Sequence, residues 1–187
     1  MAKPHAIPAS AHPVRAAGTD RWLERVAWAP RAGERPADGL TQLRTEIEVA
    51  APLDRVFDFF ADAGNLQALT PLWLNFTIRS AMPIVMRPGA LIDYCIVLRG
   101  LPIAWRSRID VWEPGRRFVD RQLRGPYRWW NHEHLFEAIP SGGTRVIDLV
   151  EFQPRLAWLT GGLVTRDVER IFAFRQQALS RHFGLRP

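Results

Sequence analysis

The stretch VTRDVERIFAFRQQALSRHF, residues 164–183, decides the fold of this chain. Apolar side chains recur in it at steps of three and four residues, which is the period of a helix that buries one face. The charged side chains are assigned to the opposite, solvent-facing side. The pattern predicts one long helix of roughly five turns, whose apolar stripe needs a large surface to pack on. The apolar residues are Val164, Val168, Ile171, Phe172, Leu179 and Phe183, and the charged ones are Arg166, Glu169, Arg170, Arg175 and Arg181.

Most of the chain before this helix is predicted to form β-strands. Leu43, Thr45, Ile47 and Val49 alternate with polar residues, which is the period of a half-buried strand. The short breaks between later apolar segments contain Gly and Pro, which are typical of turns, so successive strands are expected to form hairpins. The result is an antiparallel meander whose concave face receives the long helix. The further strands are predicted at residues 73–80, 90–99, 102–111, 117–123, 127–138 and 144–152.

Two short helices are predicted between the first strand and the second. Pro52 and Asp54 favour a helix start, because Pro is tolerated in the first helical turn and acidic side chains are favourable there. A second short helix is predicted over residues 64–70, ending before Pro71. The chain is therefore expected to have an α+β fold, in which a curved antiparallel sheet of about seven strands surrounds a long C-terminal helix.

The first forty residues differ in composition from the rest. Residues 1–40 contain Pro at five positions and few side chains to bury, so they are predicted to be a partly disordered extension. The exception is residues 22–28, which are predicted to form about two helical turns that dock on the body. Residues 41–187 are predicted to form one domain with a sizeable core.

Composition excludes several classes of protein. The net charge is +6, but the basic residues are scattered singly, so nucleic-acid binding is not expected. Pro4, Pro8 and Pro13 interrupt any apolar signal sequence, and no apolar run is long enough to cross a membrane. The single cysteine, Cys95, excludes an internal disulfide bond. We expect a cytoplasmic protein with no membrane span.

Several short motifs resemble those of a known superfamily. They are Leu91-Ile92-Asp93-Tyr94, Gly100-Leu101-Pro102-Ile103-Ala104-Trp105, Trp112-Glu113-Pro114, Arg117-Phe118-Val119-Asp120, Arg124-Gly125-Pro126-Tyr127, Trp130-Asn131-His132-Glu133-His134-Leu135-Phe136, Gly142-Gly143-Thr144 and Asp148-Leu149-Val150-Glu151-Phe152. From about Thr41 to Phe183 the chain resembles the SRPBCC superfamily, the START-like and birch-pollen-allergen-like proteins with the helix-grip fold. Within it, the chain is similar to an uncharacterised ligand-binding group related to polyketide cyclases. The resemblance implies a ligand site in a gap between sheet and helix.

Strand alternation predicts which side chains face that gap. Placing Phe118 on the inner face brings Asp120 inside with it, and the same assignment on the last strand brings Asp148 inside. A buried carboxylate is costly unless it is paired, and the candidate partners are His132 and His134. We call these four residues the histidine–aspartate cluster. The predicted ligand-binding residues are Trp73, Tyr94, Trp105, Gln122, Trp130, His132, His134, Phe136, Phe152 and Phe172.

The histidine–aspartate cluster allows several roles. A histidine held by a carboxylate can act as a general acid–base, with His132, His134, Asp148 and Asp120 as the catalytic candidates, or it can hydrogen-bond a ligand. The four groups can instead satisfy one another as an internal network. Two histidines at positions i and i+2 can also bind a metal, but no third ligand follows at a familiar spacing, so no metal site and no cofactor are expected.

The contacts within the cluster depend on strand register. If the last turn consists of residues 140–143, His134 lies opposite Leu149. A connection one residue longer or shorter places His134 level with Asp148 or with Val150 instead. The sequence leaves these registers open.

Three functions remain open from the sequence. The first is a carrier or sensor of an apolar small molecule, such as a lipid, a polyketide or an aromatic compound. The second is a cyclase or dehydratase in which a histidine–aspartate pair transfers protons. The third is a protein-interaction module that binds no small molecule.

Overall fold

The computed structural model describes residues 14–15, 22–23, 40–140, 142–155 and 157–185. Strand β1 (Val14–Arg15) pairs with strand β2 (Trp22–Leu23) as a small antiparallel sheet. The helix predicted from residue 22 is therefore wrong at its first two residues, because their backbone pairs with another strand. The rest of that helix, and nearly all of the extension predicted to be partly disordered, lie outside the described residues.

The main body is one antiparallel sheet of seven strands, which confirms the predicted meander. The first strand, β3, pairs with the last strand, β9, so the sheet order is β3-β9-β8-β7-β6-β5-β4. Register shifts between β6 and β7 mark β-bulges, which bend and twist a sheet. The strands are β3 (Thr41–Val49), β4 (Thr77–Ile78), β5 (Leu91–Leu98), β6 (Leu101–Glu113), β7 (Arg117–Arg124), β8 (Tyr127–Ala138) and β9 (Thr144–Pro154).

The strand predicted over residues 73–80 is reduced to the two residues of β4. Leu72–Leu74 form a turn of 3-10 helix, and Asn75 follows it in the left-handed conformation with φ 42°. A left-handed residue interrupts an extended backbone, so pairing with β5 starts only at Thr77. The segment between β3 and β4 also holds helix α1 (Leu53–Ala61) and a 3-10 helix at Ala63–Gln67, where an α-helix was predicted over residues 64–70.

Helix α2 (Ala157–Phe183) is longer than predicted. It has 27 residues, and at 1.5 Å per residue it is about 40 Å long. The sequence pattern detects only its part from Val164 onward, because the preceding Gly161-Gly162 is typical of a turn. Val168, Phe172 and Leu179 are fully or nearly fully buried, which confirms the predicted apolar stripe. This arrangement is the helix-grip fold.

The core has two clusters of apolar side chains. The first joins α1 to β8 and the end of α2: Phe60 packs edge-on against Phe136 with ring centroids 4.9 Å apart, and Phe59 packs against Phe183 at 5.3 Å. The second joins the middle of α2 to β6, β8 and β9. The histidine–aspartate cluster and a cavity lie among them. Among the described helices, none is long and apolar enough to cross a bilayer.

Candidate ligand-binding site

A cavity of about 160 Å³ lies among α1, the inner face of the sheet and α2. Its lining comes from elements far apart in the sequence: Phe60 on α1, Tyr94 on β5, Trp130 on β8 and Phe172 on α2 all contribute. The two 3-10 helices add the apolar side chains of Leu66 and Leu74. The cavity therefore depends on the whole fold.

Aromatic rings form one wall of the cavity. Tyr94 and Trp105 are directly opposite each other on β5 and β6, and their rings stack with centroids 5.6 Å apart and an interplanar angle of 18°. Trp130 meets Trp105 edge-on, with centroids 5.3 Å apart. Tyr127 packs against Trp130 at 4.8 Å. Rings held by several aromatic neighbours give a stiff, flat surface that suits an aromatic ligand.

The histidine–aspartate cluster is polar, in contrast to the aromatic wall, and the register of strands β7, β8 and β9 brings its residues together. His132 lies directly across from Asp120 on β7, and His134 lies directly across from Asp148 on β9. Ala138 pairs with Thr144, so the connection has five residues, one more than residues 140–143. This longer loop resolves the open register in favour of Asp148, because directly opposite residues share one face of a sheet.

Each histidine contacts both carboxylates. His132 Nε2 lies 2.9 Å from Asp148 Oδ1, and His132 Nδ1 lies 3.5 Å from Asp120 Oδ2. His134 Nε2 lies 3.1 Å from Asp120 Oδ2, and His134 Nδ1 lies 3.1 Å from Asp148 Oδ1. The two imidazole rings are 3.7 Å apart at their centroids. Asp120 lines the cavity together with both histidines, whereas Asp148 contacts the two histidines without lining the cavity.

Arg175 of α2 contacts the histidine–aspartate cluster. The prediction that this side chain faces solvent is therefore wrong. Its Nε donates to Asp148 Oδ2 at 3.0 Å, and its Nη2 lies 3.0 Å from His134 Nδ1. The residue is only 6% exposed. Positions 168, 172, 175 and 179 follow one another at steps of four, three and four, so Arg175 lies within the apolar stripe. That spacing was the signal that identifies it from sequence.

Burial and neighbouring charges set the protonation of the cluster. Burial, assisted by His134, lowers the pKa of His132 to about 4 against the opposing pull of Asp148. Burial alone would raise the pKa of Asp148, but the Arg175 charge and the two histidines outweigh it and hold that pKa well below its usual value. The pKa of Asp120 is also lowered, because its histidine contacts outweigh burial. At neutral pH both carboxylates are ionised and His132 is neutral.

A serine links the aromatic wall to the cluster. The indole Nε1 of Trp105 donates to Ser107 Oγ at 3.1 Å, and Ser107 Oγ lies 3.4 Å from Asp120 Oδ1. Ser107 lines the cavity and is 2% exposed. Ser107 is not among the site residues predicted from the sequence. Its position two residues after Trp105, on the same inward face of β6, is the signal that was available.

Six of the ten predicted ligand-binding residues line the cavity, and the other four do not. Trp73 is 44% exposed because its 3-10 helix turns it outward, and its ring lies under the guanidinium of Arg170. The Gln122 side chain donates to the backbone carbonyl of Tyr127 at 2.8 Å and so braces the β7–β8 turn. The remaining two belong to the core clusters and do not line the cavity. The lining residues are Tyr94, Trp105, Trp130, His132, His134 and Phe172, and the core residues are Phe136 and Phe152.

Residues 48–183 match a protein family described as "Domain of unknown function (DUF8410)". The chain belongs to this family. The matched segment runs from the end of β3 to the end of α2, so the DUF8410 domain includes every element that lines the cavity. No curated protein matches the chain in sequence.

Solved structures share the fold of this DUF8410 domain at low sequence identity. Zhui aromatase/cyclase from Streptomyces sp. R1128 is 20% identical with a TM-score of 0.60, covering 75% of this chain and 91% of that chain. Protein CV1439 from Chromobacterium violaceum is 16% identical with a TM-score of 0.62, covering 78% and 99%. Ara h 8.0201 is 19% identical with a TM-score of 0.55, covering 77% and 97%. These similarities confirm the predicted helix-grip fold.

Proposed function

We propose that this domain binds a small aromatic molecule that carries a hydrogen-bonding group, as a carrier or sensor. The observation that carries the proposal is the pairing of the stacked Tyr94–Trp105 wall with the polar edge of Asp120, His132 and His134 in one cavity. Pockets for small molecules commonly combine apolar walls with a few polar groups that orient the ligand. Here the rings would hold the apolar part, and the histidine–aspartate cluster would orient the polar group.

The size of the cavity favours a compact ligand. An apolar protein cavity of about 150 Å³ is large enough to bind benzene. At about 160 Å³ this cavity suits a molecule with one or two rings. A lipid chain or a full polyketide would need the walls to open further, so of the three ligand classes considered from the sequence, an aromatic compound fits best.

Native mass spectrometry of the purified protein tests the proposal by searching for a co-purified molecule. Titration with phenol and with toluene then separates the two parts of the site, because these probes have similar size and differ in their hydrogen-bonding group. Both should bind saturably in one site, and phenol more tightly. His134→Ala should weaken phenol and leave toluene nearly unchanged, since only phenol loses a hydrogen bond of roughly 1 kcal/mol.

Two tryptophans give a matched comparison, because Trp130 lines the cavity and Trp73 does not. Trp130→Ala removes a ring from the cavity and should weaken both probes by roughly 10- to 100-fold, as expected when a large apolar contact is lost. Trp73→Ala removes a ring that does not line the cavity and should leave both affinities unchanged. Equal effects of the two substitutions, or no saturable binding of either probe, would contradict the proposal.

A second candidate function is proton transfer on a bound substrate, as in a cyclase or dehydratase. The cluster favours it, since neutral His132 faces the cavity and is held by the ionised Asp148, which would stabilise a transient imidazolium. The test is turnover of a small β-hydroxy ketone, followed as loss of water, and of a 1,5-diketone, followed as aldol ring closure. His134→Ala and His132→Gln should each lower the rate by roughly 100-fold or more. Unchanged rates, or no turnover despite saturable binding, would leave the carrier function alone.

A further inference from the structure

We propose that Asp120, His132 and His134 form a binding site for a divalent transition-metal ion. One ligand atom from each residue lies within 4.8 Å of those of the other two. Asp120 Oδ2 is 3.1 Å from His134 Nε2 and 3.5 Å from His132 Nδ1. Ligand atoms at about 2.1 Å from a tetrahedral ion are separated by about 3.4 Å, so these two edges already have the required length.

Sequence spacing does not reveal this site, because its third ligand comes from another strand. His132 and His134 are two residues apart on β8, and Asp120 reaches them from β7 through the register that pairs it with His132. The absence of a third ligand at a familiar spacing was the reason to expect no metal. The neighbouring strand β7 supplies that ligand.

The edge of His132 that faces away from Asp120 is already held as a metal site requires. A histidine that binds a metal usually donates its other ring N–H to a carboxylate or carbonyl, which fixes the tautomer and the ring orientation. Asp148 Oδ1 lies 2.9 Å from His132 Nε2 and can accept the proton of that ring. Arg175 Nη2 donates to His134 Nδ1 at 3.0 Å, and Asp148 Oδ1 lies 3.1 Å from the same nitrogen. With its proton on Nε2, His132 has the Nδ1 lone pair free on the side of Asp120.

A cation between the rings and Asp120 would be held by charge as well as by ligand atoms. Two bare imidazole nitrogens and a carboxylate oxygen at 3.1–3.5 Å repel one another unless a positive charge lies among them. Asp120 and Asp148 carry two negative charges at neutral pH, and Arg175 balances one of them. In the metal-free protein His134 can turn its proton toward Asp120, while its Nδ1 accepts from Arg175 Nη2. An ion that binds Nε2 displaces this proton to Nδ1, where Asp148 Oδ1 lies 3.1 Å away, and Arg175 Nη2 then gives up its contact with Nδ1.

The site also has room for further ligands of the ion. Asp120, His132 and His134 all line the cavity, so a water molecule or the polar group of an organic ligand can reach an ion held there. Two imidazoles and one carboxylate suit zinc, cobalt and ferrous ions better than magnesium or calcium, which prefer oxygen ligands. The metal does not depend on the aromatic ligand proposed above, because the protein alone supplies three ligands.

Cobalt titration of the chelator-treated full chain tests the proposal. Co²⁺ should bind with one-to-one stoichiometry and a dissociation constant in the low micromolar range or below, with visible absorption bands of a four- or five-coordinate ion, and Zn²⁺ should displace it. X-ray absorption of the zinc-loaded protein should show nitrogen and oxygen ligands, imidazole included, at about 2.0–2.2 Å. Neither measurement needs a variant that might disturb folding.

Substitutions assign the ion to this cluster. Asp120→Asn keeps the side-chain shape and should weaken Co²⁺ binding by more than the roughly 10–100-fold cost of losing an outer hydrogen-bond partner. The matched controls are Asp93→Asn, on an exposed ion pair with Arg106, and His182→Gln, on an exposed part of α2; both should bind Co²⁺ like the unmodified protein. A CD melt of Asp120→Asn confirms that it is folded.

Two results would overturn the metal site: cobalt bound in much less than equimolar amount, or equal affinity in Asp120→Asn and the unmodified protein. Repeating the phenol and toluene titrations with excess EDTA separates this proposal from the proposed function. Saturable phenol binding in EDTA with no cobalt binding would remove the metal site and retain the ligand site. Cobalt binding without saturable phenol or toluene binding would retain the metal site and remove the proposed ligand site.

Discussion

Lowering the pH from 7.5 to 4.5 probes the environment of His132 in the folded protein. Burial holds the pKa of this imidazole at about 4, against 6.5 for an unperturbed histidine. Between these values the unfolded chain binds a proton at this position and the folded protein does not. Stability is therefore fully present above pH 6.5 and is lost as the pH falls toward 4.

The magnitude follows from the difference between the two pKa values. Because each pK unit corresponds to 1.36 kcal/mol, a folded pKa of about 4 against 6.5 gives a loss of about 3 kcal/mol when the titration is complete. His132 is 6% exposed, so solvent screening reduces this figure little. The pKa values of Asp148 and Asp120 are lowered in the folded protein, from 3.8 for an unperturbed aspartate. The stability that these ionised carboxylates contribute is therefore lost only below about pH 3.8, outside the range from pH 7.5 to 4.5.

Urea unfolding followed by tryptophan fluorescence, at several pH values in the presence of EDTA, measures the effect. The free energy of unfolding should fall steadily between pH 6.5 and 4.5, and His132→Gln should flatten that decrease. His182→Gln, which removes an exposed histidine, should retain it. A stability that is constant over this range, or a slope that is the same in His132→Gln, would refute the assignment of a buried neutral imidazole.

Three further substitutions test the structure. Arg175→Met should destabilise the fold by about 3–5 kcal/mol in urea unfolding, because it leaves the buried Asp148 carboxylate without its positively charged partner. The control Arg170→Met, on the exposed side of α2, should cost less than about 1 kcal/mol. Phe152→Ala should cost about 3–5 kcal/mol, since that ring is 1% exposed, and a loss below 1 kcal/mol would show that the site is not tightly packed. Gly100→Ala should lower stability by about 1–2 kcal/mol, because φ is +81° there and no atom would touch the added methyl; an unchanged melting temperature would argue against that turn geometry.

Local patterns in the sequence were sufficient for most of the fold. Strand β8 has the bounds predicted for it, and β5, β6, β7 and β9 agree to within a few residues, because period-two alternation ends at turn residues. Helix α2 and its buried Val168, Phe172 and Leu179 follow in the same way from the helical period. The errors fall where local signals compete: residues 73–80 are rich in apolar side chains, yet Asn75 turns the backbone out of a strand.

The sequence by itself determined most of the secondary structure, the inward face of the central strands and most residue types in the interior, because each of these depends on neighbours a few positions away. Only the tertiary structure decided that the connection before Thr144 has five residues, that Asp120 and Asp148 meet both histidines, and that Arg175 lies beneath them. It also decided that Trp73 lies outside the cavity. These contacts join residues from 12 to 41 positions apart, and a change of one residue in strand register would replace the contacts between the strands.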